Sequence, residues 1–265
     1  MLLRPAAMCL LLLALAPLTA AAQPPRADVA QALLAAYPDF LARVDGNDLV
    51  WKDGTRMPID DGAGPKKPNA LLERPDIKDM FADPYPVGET GIPPGLDVDP
   101  GRARYMPLFE KMYGSCRARE VTARLVDVVW LPTRSAARIK FSKVNGAAAA
   151  LQRVSEELDK LPDRFVRYLK PTQGTYNCRP IAGTKRLSAH GLGIAIDIAS
   201  SQSNYWFWAK PDAAGRIPYK NRIPWEIVNV FERYGFVWGG KWYHYDTMHF
   251  EYRPELVKTG HSVGR

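Results

Sequence analysis

The chain has 265 residues, of which 46% are apolar and 24% are charged. This composition is typical of a globular protein and excludes a largely disordered, collagen-like or coiled-coil chain. With 36 Lys and Arg against 28 Asp and Glu, the net charge of +8 favours an acidic partner such as nucleic acid, anionic lipid or anionic cell-wall polymer. No run of Lys or Arg exceeds two residues, which argues against a nucleic-acid-binding arm, so nucleic acid is not the partner we expect.

The first 22 residues have the pattern of a secretory signal peptide. Arg4 gives a positively charged start, residues 8–16 form an apolar run, and small residues precede Gln23. A membrane-spanning helix needs about 20 apolar residues, which neither this run nor any later stretch provides. We therefore expect cleavage after Ala22, a soluble mature protein exported to the periplasm or cell wall, and no stable membrane insertion.

The cysteines are interpreted in the light of this expected export. Cys9 would leave with the signal peptide, and Cys116 and Cys178 would then reach a compartment that permits oxidation. We predict a disulfide between these two residues. Two separate buried thiols are the alternative, and metal binding by the pair is disfavoured because the chain contains no Cys-x-x-Cys spacing.

The first half of the chain contains recognisable local patterns. Apolar spacing predicts a helix over residues 28–41, followed by a β-hairpin that turns at Asp53-Gly54. Residues 58–100 contain nine of the 23 prolines, which predicts an extended arm lying on the domain. Residues 121–131 alternate and then become continuously apolar, which predicts a central strand.

The second half mixes helices with short strands. Asn145 is expected to cap a helix over residues 146–160, and a further helix is predicted over residues 224–234, with Gly235 at its end. Short strands are predicted at residues 194–199, 236–238 and 248–252. Because there is no regular βαβ repeat, we predict an α+β fold with a small antiparallel sheet flanked by helices and preceded by the proline-rich N-terminal arm.

Two histidines and one aspartate stand out chemically. His190 precedes two glycines, Asp197 interrupts an apolar strand, and His249 lies in a second apolar strand. A carboxylate at such a position is costly to bury unless it is paired or bound to a cation. Two imidazoles and a carboxylate form a typical zinc site with an open fourth position. A structural hydrogen-bonded pair is the alternative, and Fe(II) sites use the same residue types.

The motif Ser188-x-His190-x6-Asp197, followed by Asp246-x-x-His249, resembles the zinc D-alanyl-D-alanine carboxypeptidases of the VanY/VanX type. These share a fold with the hedgehog signalling domain. The stretch from Tyr176 to Arg179, which leads into SAHGLGIAIDIAS, also resembles the C-terminal domain of bacterial extensin-like proteins. The resemblance covers residues 116–256. It implies a zinc peptidase-like domain at 116–256. The residue patterns described above place a signal peptide at 1–22, an N-terminal helix, hairpin and proline-rich arm at 23–115 and a tail at 257–265 around it.

The resemblance also implies roles for individual residues. Zn²⁺ would be bound by His190, Asp197 and His249, and Asp246 would act as the general base on a water activated by the metal. Arg179 would bind a substrate carboxylate or stabilise the oxyanion, and Ser188 would position the peptide. A strand would place Asp246 and His249 on opposite faces, so Asp246 is expected in the turn entering the strand, and Glu251 is the rival base.

Other polar and aromatic residues leave alternatives open. His244 is either a substrate-binding residue near the oxyanion or an exposed loop histidine, and His261 is expected to be a bystander in the tail. Part of the Tyr205–Trp208 cluster is expected to line a cleft. The predicted function is hydrolysis of peptidoglycan stem peptides by an exported zinc metallopeptidase, either a D,D-carboxypeptidase or an endopeptidase. A non-catalytic cell-wall-binding module is the alternative, and a metal-dependent nuclease is disfavoured by the lack of basic runs.

Overall fold

A computed structural model describes residues 26–90 and 93–257. The predicted signal peptide, Cys9, the tail after residue 257 and His261 lie outside the described residues. The helices are α1 (Arg26–Ala36), α2 (Pro68–Glu73), α3 (Met106–Tyr113), α4 (Ala147–Leu158), α5 (Val166–Leu169), α6 (Trp225–Arg233) and α7 (Pro254–Val257). The strands are β1 (Leu41–Asp45), β2 (Asp48–Trp51), β3 (Arg56–Pro58), β4 (Leu125–Trp130), β5 (Ala137–Ser142), β6 (Ala195–Asp197), β7 (Phe236–Trp238) and β8 (His249–Tyr252).

The strands form three small antiparallel sheets, with orders β1-β2-β3, β4-β5 and β6-β8-β7. The predicted α+β class with small antiparallel sheets is therefore confirmed. Single 3₁₀ turns join many of the elements, at Lys78–Phe81, Thr122–Arg124, Val144–Gly146, Asp163–Phe165, Ala189–Leu192, Ser200–Gln202, Trp206–Trp208 and Gly239–Lys241. Among the described residues, no helix combines the length and the apolar character that crossing a bilayer requires.

Three local predictions need correction. The first helix ends at Ala36, and Leu41 already begins β1. The strand predicted at residues 121–131 starts at Leu125 and pairs only with β5 among the described residues, so it is an edge strand of a two-stranded sheet. Asn145 does not cap α4: it has a φ of 52°, and its side-chain amide donates to the carbonyl of Ala36 instead.

The proline-rich segment contributes to the hydrophobic core rather than only lying on it. Ile59, Ile77, Met80, Phe81 and Tyr85 are buried in the same cluster as residues of α1, α4 and α6 and of strands β7 and β8. Proline therefore limits regular structure in this segment without preventing burial of the apolar side chains between the prolines. The predicted domain boundaries stay predictions.

A buried ion pair attaches the arm to the sheet β6-β8-β7. Lys241 Nζ lies 2.5 Å from Glu232 Oε1, and both side chains are 2% exposed. The hydroxyl of Tyr85 donates to the same carboxylate at 2.6 Å, and the amide of Gly88 donates to its other oxygen at 2.7 Å. Lys241 in turn donates to the carbonyl of Gly88 at 2.7 Å. The carboxylate of Glu232 and the ammonium group of Lys241 thus contact each other and also hydrogen-bond to groups of the arm. Charges that are paired and hydrogen-bonded in this way can be buried without a large free-energy cost.

We predict that Lys241→Met lowers the free energy of unfolding by about 3–5 kcal/mol, because it leaves the Glu232 carboxylate buried without its cation. Urea denaturation followed by tryptophan fluorescence measures the loss. Arg233→Met is the matched control: its partner Glu157 is on the surface, and exposed pairs contribute about 0–1 kcal/mol. Equal losses of unfolding free energy in the two variants would show that the buried pair of Lys241 and Glu232 contributes no more than an exposed pair.

Candidate metal centre

The register of one strand pair brings the two halves of the predicted site together. Strands β6 and β8 are antiparallel, and Asp197 lies directly opposite His249. Cβ atoms of such cross-strand pairs are about 4.5–5.5 Å apart, within reach of a shared ligand. The Nδ1 atom of His249 lies 3.0 Å from Asp197 Oδ1. Two residues that are 52 positions apart in the sequence are thus direct neighbours across the two strands.

His190 reaches the same point from a 3₁₀ turn. The turn spans Ala189–Leu192, and the hydroxyl of Ser188 accepts the backbone N–H of His190 at its start. Gly193 ends it with a φ of 68°, where a Cβ atom would lie 2.7 Å from Leu125 Cδ2. A residue with a side chain would be strained and crowded there. The turn places His190 Nε2 at 3.2 Å from Asp197 Oδ1.

The hydrogen bond on the other side of His190 fixes its tautomer. Nδ1 lies 2.6 Å from the carbonyl oxygen of Thr175, which only accepts hydrogen bonds, so Nδ1 carries the proton. Nε2 then presents its lone pair to the Asp197 carboxylate, and it has no hydrogen-bond partner among the described residues. Two lone pairs that face each other at this distance are stabilised when a cation lies between them.

The donor set fits a metal ion in both chemistry and spacing. The ligand atoms of His190, Asp197 and His249 all lie within 4.8 Å of one another. A tetrahedral ion with bonds of roughly 2.0–2.1 Å separates its ligand atoms by about 3.3 Å. The measured separations of 3.2 Å and 3.0 Å to Asp197 Oδ1 are close to that value. The hydrogen-bonded-pair alternative explains the contact of His249 with Asp197, but it leaves His190 Nε2 without a partner.

Glu251 supports the centre from behind. Its carboxylate is fully buried and accepts a hydrogen bond from Nε of Arg104 at 2.7 Å. Nη1 of Arg253 lies 3.5 Å from the same carboxylate. Although burial opposes ionisation, the two guanidinium groups and His249 lower the pKa of Glu251 well below its usual range. The carboxylate lies 3.6 Å from Nε2 of His249, the nitrogen that faces away from Asp197. Glu251 therefore orients His249 and does not line the cavity described next.

A cavity of about 250 Å³ lies over the three donor residues. Its lining includes every predicted site residue outside the disulfide, namely Arg179, Ser188, His190, Asp197, His244, Asp246 and His249. The aromatic residues of the lining are Tyr205, Trp206, Trp208 and Trp242. Arg102 and Arg104 also line the cavity, although the sequence patterns did not indicate them. Tyr205, Trp206 and Trp208 form part of the wall, as the sequence analysis expected. No spacing signal connects Arg104 to this site, because it lies 147 positions before its partner Glu251 on β8.

Asp246 lies in the turn that precedes β8, which removes the geometric difficulty posed by a continuous strand. Its carbonyl accepts the N–H of His249 at 3.2 Å, and its backbone pairs with Tyr205. The Oδ1 atom is buried and has no hydrogen-bond partner among the described residues. Burial, together with the nearby Asp197 carboxylate, raises the pKa of Asp246 to about 7.

His244 is held by a carboxylate of the arm. Its Nδ1 lies 2.8 Å from Asp99 Oδ2, and its backbone N–H donates to Asp99 Oδ1 at 2.9 Å. Its ring also contacts Trp206 edge-on, with centroids 4.8 Å apart. Of the two alternatives left open for His244, the structure favours a fixed cleft residue over an exposed loop histidine, because the side chain is 21% exposed and lines the cavity.

The predicted disulfide is present between Cys116 and Cys178. It links the segment after α3 to the residue that precedes Arg179. The guanidinium of Arg179 is exposed at the cavity wall and donates to the carbonyl of Pro180 at 3.3 Å. The disulfide therefore fixes the backbone on which Arg179 lies.

A second acidic cluster in the arm is already neutralised. Asp60, Asp61 and Asp76 come together closely enough to hold a cation. Two lysines take the place of that cation: Lys66 Nζ lies 2.8 Å from Asp61 and 3.5 Å from Asp76, and Lys78 Nζ lies 2.8 Å from Asp60. The cluster is an ion-pair network that connects parts of the arm.

We predict that Asp197→Ala abolishes the binding of one equivalent of divalent metal, because it removes the carboxylate shared by both imidazoles. Elemental analysis after dialysis against Zn²⁺ gives the stoichiometry. Asp99→Ala is the matched control, since it removes a carboxylate from the same cleft without removing a donor atom of the candidate centre. Retention of stoichiometric metal by Asp197→Ala would rule out this donor set.

Comparison with known proteins identifies the segment that carries the centre. Residues 182–252 match a family model described as D-alanyl-D-alanine carboxypeptidase. Searches of the curated proteins and of the solved structures give no match. The match includes His190, Asp197, Asp246 and His249 and excludes the arm and Arg179. It confirms the resemblance that the sequence motifs indicated: the segment that builds the candidate metal centre has the sequence of a D-alanyl-D-alanine carboxypeptidase-type peptidase.

Proposed function

We propose that the protein is an exported zinc metallopeptidase that hydrolyses peptidoglycan stem peptides, either as a D,D-carboxypeptidase or as an endopeptidase. One observation carries this proposal. Two imidazoles and one carboxylate converge beside the buried carboxylate of Asp246, whose Oδ1 atom has no hydrogen-bond partner in the described part of the chain, at the wall of an open cavity. A purely structural metal site is typically closed by four protein ligands, whereas a catalytic one has three and an open position.

The chain supplies distinct groups for the reaction. When bound by His190, Asp197 and His249, zinc supplies Lewis-acid chemistry, which polarises the scissile carbonyl and makes water nucleophilic near neutral pH. Asp246 accepts the proton of the attacking water on Oδ1 and returns a proton to the leaving amine. A buried carboxylate whose Oδ1 atom has no hydrogen-bond partner among the described residues is suited to both transfers, because no neighbour competes for the proton at that oxygen.

Arg179 and His244 bind and orient the peptide in this proposal. Arg179 has a single weak bond to a carbonyl, which leaves most of its guanidinium donors free for a substrate carboxylate. The Nδ1 atom of His244 is hydrogen-bonded to Asp99, which leaves the Nε2 atom to contact the peptide. Nε2 lies 3.9 Å from Asp97 Oδ1. Ser188 accepts the backbone N–H of His190 at 3.4 Å and lines the cavity, where its hydroxyl would position the peptide.

We predict that Asp246→Asn lowers kcat on a peptide ending in D-Ala-D-Ala by about 100-fold or more, because it removes the proton acceptor. Release of D-alanine measures the rate, and wild-type activity is expected to disappear with a chelator and return with Zn²⁺. Asp212→Asn is the control, since Asp212 is an exposed carboxylate that bonds only to the loop around Arg216. Digestion of purified sacculi with product analysis distinguishes carboxypeptidase from endopeptidase cleavage.

Two results would overturn parts of this assignment. Full activity in Asp246→Asn would remove Asp246 as the base. Stoichiometric zinc without turnover on a broad panel of muropeptides would replace the peptidase by the cell-wall-binding module.

Export rests on the N-terminal sequence and on the disulfide. Disulfides persist in oxidising compartments such as the periplasm, and the pair Cys116–Cys178 is consistent with that location. We predict that the protein recovered from the exported fraction of its native cells begins at Gln23, as N-terminal sequencing would show. Recovery only from the cytosol with residues 1–22 retained would contradict export.

A further inference from the structure

A second groove opens beside the cavity of the candidate metal centre. It has a volume of about 420 Å³ and shares Arg102, Arg104 and Ile181 with that cavity. Its other walls come from the arm around residues 72–75, from α3 and from residues 185–187. Because the two spaces share walls, a linear ligand that lies over the metal centre can extend directly into the groove.

The groove has a strong excess of positive charge. Its lining contains six basic residues and two acidic ones. The basic residues are Arg74, Arg102, Arg104, Arg117, Lys185 and Arg186, and the acidic ones are Glu73 and Glu110. A concave surface of one sign concentrates counter-ions and ligands of the opposite sign.

Two of these cations are already used by the protein. Arg104 is bound to the buried carboxylate of Glu251, and Arg102 Nη1 lies 2.6 Å from Asp99 Oδ2. They contribute positive potential to the groove, but their charges are largely balanced by these partners. Arg102 and Arg104 therefore set the shape of the junction between the two spaces rather than the charge excess.

The other four basic residues of the lining, against its two acidic residues, leave a net excess of two positive charges. Arg74, Arg117 and Lys185 are exposed and form no ion pair with any residue in 26–90 or 93–257. Arg186 is 16% exposed, and its Nε lies 3.1 Å from Glu73 Oε1 without meeting the geometry of a hydrogen bond. Burial and repulsion from Arg102 and Arg104 lower the pKa of Arg186. A guanidinium held among other cations is stabilised when an anion binds beside it.

We propose that this groove is a subsite for a side-chain carboxylate of the peptide substrate, at a position close to the bond that lies over the metal centre. A guanidinium fork pairs with a carboxylate through two parallel hydrogen bonds, and a nearby ammonium adds point charge. The inference rests on the proposed peptidase function and narrows it to acidic peptides. Arg74 and Arg117 lie outside residues 182–252, so selectivity comes partly from the chain that precedes the family match.

Binding and hydrolysis of matched peptides test the subsite. The probes are fluorescently labelled peptides ending in D-Ala-D-Ala, with one Glu placed at each of the three preceding positions in turn, and the corresponding Gln peptides. The test protein is the double variant Arg117→Ala and Lys185→Ala. Both side chains are exposed, so their loss is not expected to affect folding. The control variant, Arg138→Ala and Lys160→Ala, removes the same charge from exposed positions that do not line the groove.

Affinity is measured by fluorescence anisotropy in the Asp246→Asn background, and KM is measured in the active enzyme. We expect one Glu peptide to bind about tenfold more tightly than its Gln counterpart, in line with the energy of charge-assisted hydrogen bonds. The double variant is expected to abolish most of this ratio, and the control variant to preserve it. KM is expected to reproduce the same ratios.

Three outcomes would overturn the subsite. Equal affinity for Glu and Gln peptides at all positions would show that no side-chain carboxylate is recognised. An equal loss of the Glu-to-Gln affinity ratio in the control variant would show that the preference comes from the net charge of the protein and not from the groove. Binding of a polyglycerol phosphate polymer that the double variant abolishes, with no preference among the peptides, would assign the groove to phosphate. Because anisotropy needs no turnover, a protein that binds Glu peptides selectively but hydrolyses none would disprove the peptidase function and leave the carboxylate site.

Discussion

The candidate centre depends on one carboxylate oxygen between two imidazole nitrogens. Asp197 Oδ1 lies within 3.2 Å of His190 Nε2 and within 3.0 Å of His249 Nδ1. The arrangement constrains the backbone around it. The register of β6 against β8 must set Asp197 opposite His249, and the 3₁₀ turn with Gly193 at its end must return His190 over the strand. A slip of one residue in that register would turn Asp197 to the other face of the sheet.

Buried charges around this centre are neutralised in pairs that join distant parts of the chain. Glu251 is paired with Arg104, Asp99 with His244 and Arg102, and Glu232 with Lys241. The pairs Glu251–Arg104 and Asp99–His244 each join the segment before residue 105 to residues after 230, and the pair Glu232–Lys241 is hydrogen-bonded to Tyr85 and Gly88 of the arm. The arm is therefore held against the sheet by polar contacts as well as by its buried apolar side chains. These contacts also bring arginines to the edge of the cleft, where the sequence alone does not place them.

Local patterns predicted much of the fold and the donor residues of the site. The hairpin at Asp53-Gly54, the helix ending at Gly235 and the short strands around Asp197 and His249 follow from spacing and turn residues. The motifs also brought together the residues that the structure collects in one cavity. Asn145 was misassigned because a hydrogen bond to the distant carbonyl of Ala36 competes with capping. The contributions of Asp99, Arg102 and Arg104 depend on tertiary contacts over more than 100 residues, for which the chain carries no periodic signal.

The bond between Arg104 and Glu251 has an evolutionary consequence. Glu251 lies inside the segment that matches the peptidase family, and its neutralising cation lies nearly eighty residues before that segment begins. Transplanting the segment into another scaffold would bring an acidic group into the interior without its hydrogen-bonded counter-charge Arg104, directly behind the His249 imidazole of the candidate centre. Recombination among relatives is thus limited by an inherited pairing: the two positions are expected to change together, or the incoming scaffold must already offer a cation at the same depth.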